Sequence, residues 1–125
     1  MRNWTAWIAP LDVVGDDGRL IAGDGRWQVR AGGPLLSAGA TVGSAHGLGV
    51  HAGWLVATGQ VIAGDVADRM ACGELLPQFE LGEDASSEVV EVDGEIVTRF
   101  TGGTIVAISA GASPAFDGVR FEVEP

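Results

Sequence analysis

The sequence predicts a mainly β, antiparallel protein that forms a partly closed barrel or sandwich with one short helix. Short segments in which apolar and polar residues alternate recur along the chain, as in half-buried strands. Gly and Asp clusters that favour turns separate these segments, and a helical pattern occurs in one place only. The 125 residues contain no linker, so we expect a single domain spanning 1–125.

In the first half of the chain, Asn3–Val14 carries enough tryptophan and branched residues for an opening strand. Gly15–Gly18 is a turn by composition, and the segments Arg19–Ala22 and Trp27–Arg30 are short strands on either side of a glycine-rich link. Glycine and small residues fill Ala31–Gly53, where neither the helical nor the strand period fits. We therefore expect a long irregular loop there.

Trp54–Ile62 has the composition of a strand. A helix is expected to begin at Gly64 or Asp65 and to continue to about Ala71, with Val66, Met70 and Ala67 on its apolar face. Gly73 ends that helix.

The remaining segments predict strands and loops. Pro77 interrupts the strand Leu75–Leu81 and favours an edge or a bulge, because proline cannot donate to a sheet. Asp93-Gly94 within Asp93–Glu95 is the strongest hairpin signal in the chain. The segments concerned are an acidic loop at Gly82–Glu88, the hairpin strands Val89–Asp93 and Ile96–Thr101, and two further strands at Thr104–Ser109 and Val119–Val123.

The charge is strongly acidic: seven arginines and no lysine stand against 17 acids, for a net charge of −10. This balance argues against nucleic-acid partners and anionic membranes, which bind through basic groups. It favours solubility, with a basic partner as the alternative. The lone Cys72 cannot form an internal disulfide and is expected to be a small buried residue. No secretion signal or membrane-length apolar segment is present, so we expect synthesis in a cytoplasm.

The segment Asp65–Leu81 resembles part of the capsid maturation (prohead) proteases of tailed phages that infect actinobacteria. In that family a helix leads into a strand of the form Leu-x-Gly-Val-Ser-Val-Asp-Leu, whose serine is the nucleophile. The aligned strand here is Leu75-Leu-Pro-Gln-Phe-Glu-Leu81, and Gln78 occupies the serine position. The resemblance implies a protease scaffold that lacks its nucleophile.

Further segments resemble the same family in the same order. Gly15–Ala22 is similar to its Gly-Asp-Gly-Arg turn, and Pro34-Leu-Leu36 to the segment before its catalytic histidine, which implies that role for His46 or His51. The family's Ala-Thr-Leu-Val-x-Ile-Pro-Ala-Phe ending is similar to two segments here, Thr104–Ile108 and Ser113-Pro-Ala-Phe116, with Ser109–Ala112 as an insertion.

Serine hydrolysis needs a hydroxyl within hydrogen-bond reach of a base that a third group orients. His46 and His51 are the candidate bases, or else solvated loop residues. The glutamine side chain is an amide that cannot be deprotonated to attack a carbonyl, so Gln78 cannot replace the serine. Only another serine could restore activity, and the candidates are Ser44, Ser109 and Ser113.

No cofactor or metal is expected. Asp16 and Asp17 belong to a turn without the remaining ligands of a calcium loop, and the histidines lack partners at zinc spacing. No phosphate-binding glycine motif occurs in its required context.

Tryptophans are the candidate interface residues, because buried aromatic rings anchor many interfaces. The candidates are Trp4, Trp7 and Trp27. Core packing is the simpler interpretation for Trp7 and Trp54, and the position of Trp4 near the terminus favours a partner contact.

The resemblance, with the nucleophile position occupied by Gln78, implies a non-catalytic virion structural protein, either a minor capsid or a head-decoration protein. The expected partner is the major capsid protein, with self-association at capsid symmetry axes as a further option. The alternatives are an active capsid maturation protease, a tail or other virion module, and a cellular β domain.

Overall fold

A computed structural model describes residues 1–112, 114 and 116–125. Within these residues the chain is mainly β, with 65% strand and 7% helix, so the predicted class and the single helix are confirmed. In chain order the elements are β1 (Arg2–Pro10), β2 (Arg19–Val29), β3 (Gly33–Ser37), β4 (Ala40–His51), β5 (Trp54–Val61), α1 (Gly64–Ala71), β6 (Leu76–Leu81), β7 (Ser86–Val92), β8 (Glu95–Gly111) and β9 (Arg120–Val123).

The 17-residue strand β8 organises the sheet, because four strands pair along its two edges. β2 and then β3 follow one edge, with Val29 opposite Ile105 and Leu35 opposite Ile108. β6 and then β7 follow the other edge and run antiparallel to β8. The two predicted strands of β8 are thus one continuous strand, and so are the two predicted strands of β2.

The rest of the sheet continues from β3 through β4, β5 and β1 to β9. β6 approaches β1 and β9 across the core, but the sheet does not close into a barrel. Most strand pairs are antiparallel, as expected, but the sheet is mixed, since β2 and β3 both run parallel to β8. Alternation within single strands cannot reveal this, because it reports which face is buried and not the direction of a distant partner.

The expected loop at Ala31–Gly53 is the largest error of the sequence analysis, because this segment forms β3 and β4. Two-residue turns at Ala38-Gly39 and Ala52-Gly53, with positive φ at every position, join these strands to each other and to β5. Some of the glycines inside the strands allow neighbouring strands to approach closely. A Cβ on Gly43 would lie 2.1 Å from the Gln60 carbonyl oxygen, so no larger residue fits.

The helix is confirmed close to its predicted bounds, and the hairpin is confirmed at its turn, although β7 begins at Ser86 within the predicted acidic loop and β8 extends to Gly111. Val66, Ala67 and Met70 are the buried residues of α1, and Gly73 follows it with a positive φ. Asp93 and Gly94 form the two-residue turn between β7 and β8. Cys72 is the exception: it is exposed at the end of α1, where its thiol donates to the Arg69 carbonyl, so the expected burial is wrong.

One hydrophobic core lies between the two halves of the sheet, with α1 packed against the β9 end. The largest fully buried side chains are Trp4, Ile8, Ile21, Leu35, Leu55, Met70, Ile105 and Ile108. No charged or polar residue is buried in the described part of the chain.

Candidate functional site

Gln78 lies in the middle of β6, directly opposite Ser109 on β8. Its neighbours Pro77 and Phe79 are buried, so strand alternation places half-buried Gln78 on the other face. Among the described residues β6 pairs with β8 alone, which confirms that the strand carrying Pro77 is an edge. The side chain at this central position of the edge strand ends in an amide.

His46 lies on the outer face of β4, where it contacts Ser44. The Ser44 Oγ and the His46 Nε2 are 2.7 Å apart. Both residues are near the solvent, with Ser44 half-buried and His46 exposed. This is the hydroxyl–imidazole contact that nucleophilic catalysis requires.

A third group that orients the imidazole would complete a catalytic triad. In the described part of the structure no carboxylate hydrogen-bonds His46. The nearest polar chain runs along the same face: Gln60 donates to Asn3 over 3.4 Å, and Asn3 donates to Glu124 over 3.0 Å. Together with His46 these three residues border an open cavity of about 450 Å³.

His51 occupies a different place. It is exposed at the end of β4, opposite Trp54 and next to the turn into β5. It lines a shallow depression over Gly47 and Gly49. His51 therefore lies at the opposite end of β4 from the strand's pairing with β3.

The structure does not bring the histidines to Gln78. Moving across the sheet from Gln78, one crosses β8 and β3 before reaching β4, which is three strand spacings or roughly 14 Å. Ser109 is adjacent to Gln78 but two strands from β4. Ser113 lies outside the described residues. Of the two candidate serines that the structure describes, Ser44 is the one that contacts a histidine.

A more apolar cavity of about 390 Å³ lies beside Gln78. Ile8, Phe79 and Phe116 supply its apolar surface. The Arg19 guanidinium lies 5.5 Å from the Phe79 ring centroid and forms an ion pair with Asp17. The predicted turn at Gly15–Gly18 thus forms the charged rim of this cavity.

The three candidate interface tryptophans have different surroundings. Trp4 is 1% exposed and packs edge-on against Phe121, so its expected role as a surface anchor is wrong. Trp27 is half-buried and its indole N–H donates to the Ala22 carbonyl, so it fastens an irregular part of β2. Trp7 is half-buried on the outer face, with the Arg120 guanidinium 4.2 Å from its ring centroid.

Two structural findings concern metals and membranes. Within the described residues, no three His, Cys, Asp or Glu side chains converge as metal ligands would. The helix found in that same part of the chain lacks the length and apolar character needed to span a bilayer.

Two surface features escaped sequence reasoning. The Arg120–Trp7 pair joins residues far apart in the chain, and only the β1–β9 register brings them together. Val89 and Ile96 are exposed although their alternation suggests an ordinary half-buried hairpin. The pattern shows which residues share a face, but it does not show whether anything covers that face.

Comparison of this chain with protein-family models, with curated proteins and with solved structures gives no match.

Proposed function

We propose that this chain is a virion structural protein, a minor capsid or head-decoration protein built on a capsid protease scaffold and lacking catalysis. The proposal depends on the identity and position of Gln78. An amide occupies the position where the resemblance places the nucleophile, and it lies three strands from His46. The colinear motifs along the chain support the capsid context.

The proposed partner is the major capsid protein, and the proposed location is the capsid. Repeated weak contacts suffice for attachment to a symmetric shell, because avidity multiplies modest single-site affinities. Trp7 under Arg120 is the aromatic residue best placed for such a contact, since its ring borders the outer face. Self-association around symmetry axes would add contacts of the same kind.

Co-expression with the major capsid protein tests this role. We expect the chain to co-sediment with assembled shells at high copy number. Trp7→Ala should lower its occupancy about tenfold if Trp7 anchors the contact. Trp27→Phe serves as the control, because Trp27 is tied to its own strand.

The copy number separates the related alternatives. A few copies per particle would instead indicate a tail or other virion module. Absence of the chain from every particle would favour a cellular β domain and contradict the proposal.

A second candidate function is an active capsid maturation protease, and the Ser44–His46 contact is the observation that favours it. In that reaction the Ser44 Oγ attacks the peptide carbonyl and transfers its proton to the His46 Nε2. The imidazolium then protonates the departing amine, and water hydrolyses the acyl-enzyme.

The same co-expression distinguishes the two functions. Cleavage of the major capsid protein that disappears in both Ser44→Ala and His46→Ala, but persists in His51→Ala, would establish the protease and replace the structural role. If the major capsid protein stays intact when co-expressed with the wild-type chain and with each of the three variants, the structural role is supported.

A further inference from the structure

The β7–β8 hairpin presents an apolar pair to solvent. Val89 is 71% exposed and Ile96 is 72% exposed. Val89 pairs with Thr98 and Ile96 pairs with Glu91, so both apolar side chains project from the same face of the hairpin. They are diagonal neighbours there, which makes one small apolar patch.

The opposite face of this hairpin is firmly held. Val97 is 1% exposed, and Arg99 donates to Glu88 across the hairpin and to Asp24 near the middle of β2, both over 2.9 Å. The exposure of Val89 and Ile96 is therefore a property of an anchored hairpin, because its other face is tied to the neighbouring strand.

β7 is also an edge strand. In the described part of the chain it pairs with β8 alone, so its outer N–H and C=O groups face no strand of this chain. An edge of this kind can accept an extended segment as an additional strand, with main-chain hydrogen bonds supplying affinity.

The negative charge around the apolar patch indicates which kind of extended segment could bind to the β7 edge. Glu91 shares the face of the apolar pair, Asp93 lies in the hairpin turn and Glu95 follows it. β7 contains no basic residue, and Arg99 on β8 is already paired with two carboxylates. A segment with basic residues would meet these acids, whereas a second copy of the same hairpin would repel them.

We propose that the β7 edge binds an extended basic and apolar segment of a protein partner by strand addition. An apolar side chain of that segment packs on Val89, whose diagonal neighbour Ile96 extends the apolar patch, and its arginines or lysines face Glu91, Asp93 and Glu95. This inference deepens the assembly role proposed above and rests on it for the identity of the partner.

A blocked peptide of repeating Val-Thr-Arg-Thr is the probe, because as a strand it presents valine and arginine in turn on one face, and its counterpart with glutamate in place of arginine is the control. We expect the purified chain to bind the first peptide and not the second. The double variant Val89→Thr/Ile96→Thr should weaken binding about tenfold, because threonine keeps the branched shape and loses apolar contact. The matched control Val50→Thr/Ile62→Thr changes two other residues, exposed by 62% and 70%, and should bind as the wild type does.

Amide hydrogen exchange supplies a measurement that does not depend on variants. Peptide binding should slow exchange in Ser86–Val92. Protection confined to another part of the chain would overturn the proposal, and so would equal binding by both double variants. Self-association of the wild type that the Val89→Thr/Ile96→Thr variant abolishes would show a second copy as the occupant and would also overturn it.

The two proposals fail separately. A chain that enters capsid shells equally well with and without Val89→Thr/Ile96→Thr leaves the structural role standing and removes the β7 edge from it. A chain that never enters shells removes the structural role, and the peptide measurement still decides whether the β7 edge binds basic strands.

Discussion

Trp4 and Gly59 face each other where β1 pairs with β5, and they show how closely single residues fit in this core. A Cβ on Gly59 would lie 2.0 Å from the Ser44 carbonyl oxygen and 2.5 Å from the Trp4 Cζ2. The indole therefore occupies the space that a side chain at residue 59 would need. Neither the backbone of β4 nor the fully buried ring can withdraw easily.

Gly59→Ala should consequently destabilise the protein by about 3 kcal/mol, at the upper end of the usual cost of overpacking. Gly49→Ala is the matched control in the neighbouring strand, because nothing lies within 4 Å of the place that its Cβ would occupy. Urea unfolding followed by fluorescence measures both free energies. Equal values for the two variants would contradict the fit described for Trp4.

Asp84 fastens the loop between β6 and β7 to β8. The Thr104 hydroxyl donates to its carboxylate over 2.7 Å, and the Thr104 backbone N–H donates over 3.0 Å. These hydrogen bonds hold the pKa of Asp84 below its usual value. The Thr104 hydroxyl contributes most, and the Thr104 backbone N–H comes second. A carboxylate held in this way prefers its charged form in the folded protein.

The sign of the pH dependence follows from that lowered pKa. The interaction contributes stability above the carboxyl pKa of the unfolded chain, about 3.9, and the contribution is lost as the pH falls through the folded value. Thr104→Val should therefore lower the urea midpoint at neutral pH, with the difference shrinking in acid. Thr101→Val is the control, because that hydroxyl donates to the Ser86 carbonyl and its effect should not depend on pH. A pH-independent Thr104→Val effect would refute this account.

Three two-residue hairpin turns set the registers of the strands, and each has positive φ at both positions. Sequence reasoning identifies Asp93-Gly94 because that pair is the usual choice for such a turn. It misses Ala38-Gly39 and Ala52-Gly53, because alanine is uncommon at positive φ. The sequence consequently predicts a loop where the structure has β3 and β4.

Gly94→Ala should destabilise the β7–β8 hairpin by about 1 kcal/mol, since its φ of 84° is costly for a residue with a Cβ. Gly64→Ala is the control: it lies at the start of α1, has open space around it, and needs no positive φ. The free energy of unfolding measures both. An equal loss in the two variants would show that the turn does not require glycine.

At the scale of the whole molecule, the ends of the described chain meet in the core. Trp4 pairs with Val123 in the β1–β9 register and packs edge-on against Phe121, with ring centroids 5.9 Å apart. The helix and the local strands other than β3 and β4 could be predicted from the sequence pattern. This pairing could not, because it depends on residues more than a hundred positions apart. The separation of Gln78 from the histidines has the same origin, since it follows from strand order.

Phe121→Ala should lower the free energy of unfolding by about 3–5 kcal/mol, as for other buried aromatic truncations. Because β9 closes the common core, fluorescence and far-UV circular dichroism should report the same shifted transition. Ile62→Ala, at a 70% exposed position, should change little. Separate transitions by the two methods would show that β9 unfolds independently of the rest.

The length of β8 has a mechanical consequence. Tension applied along this strand would load its hydrogen bonds to β2, β3, β6 and β7 together, in shear, because all four lie alongside it. Tension that pulls one end of β7 away from β8 would instead break the β7–β8 hydrogen bonds one after another. Pulling along β8 should therefore require a higher rupture force than pulling β7 away from it, so the direction of load decides how strongly this sheet resists.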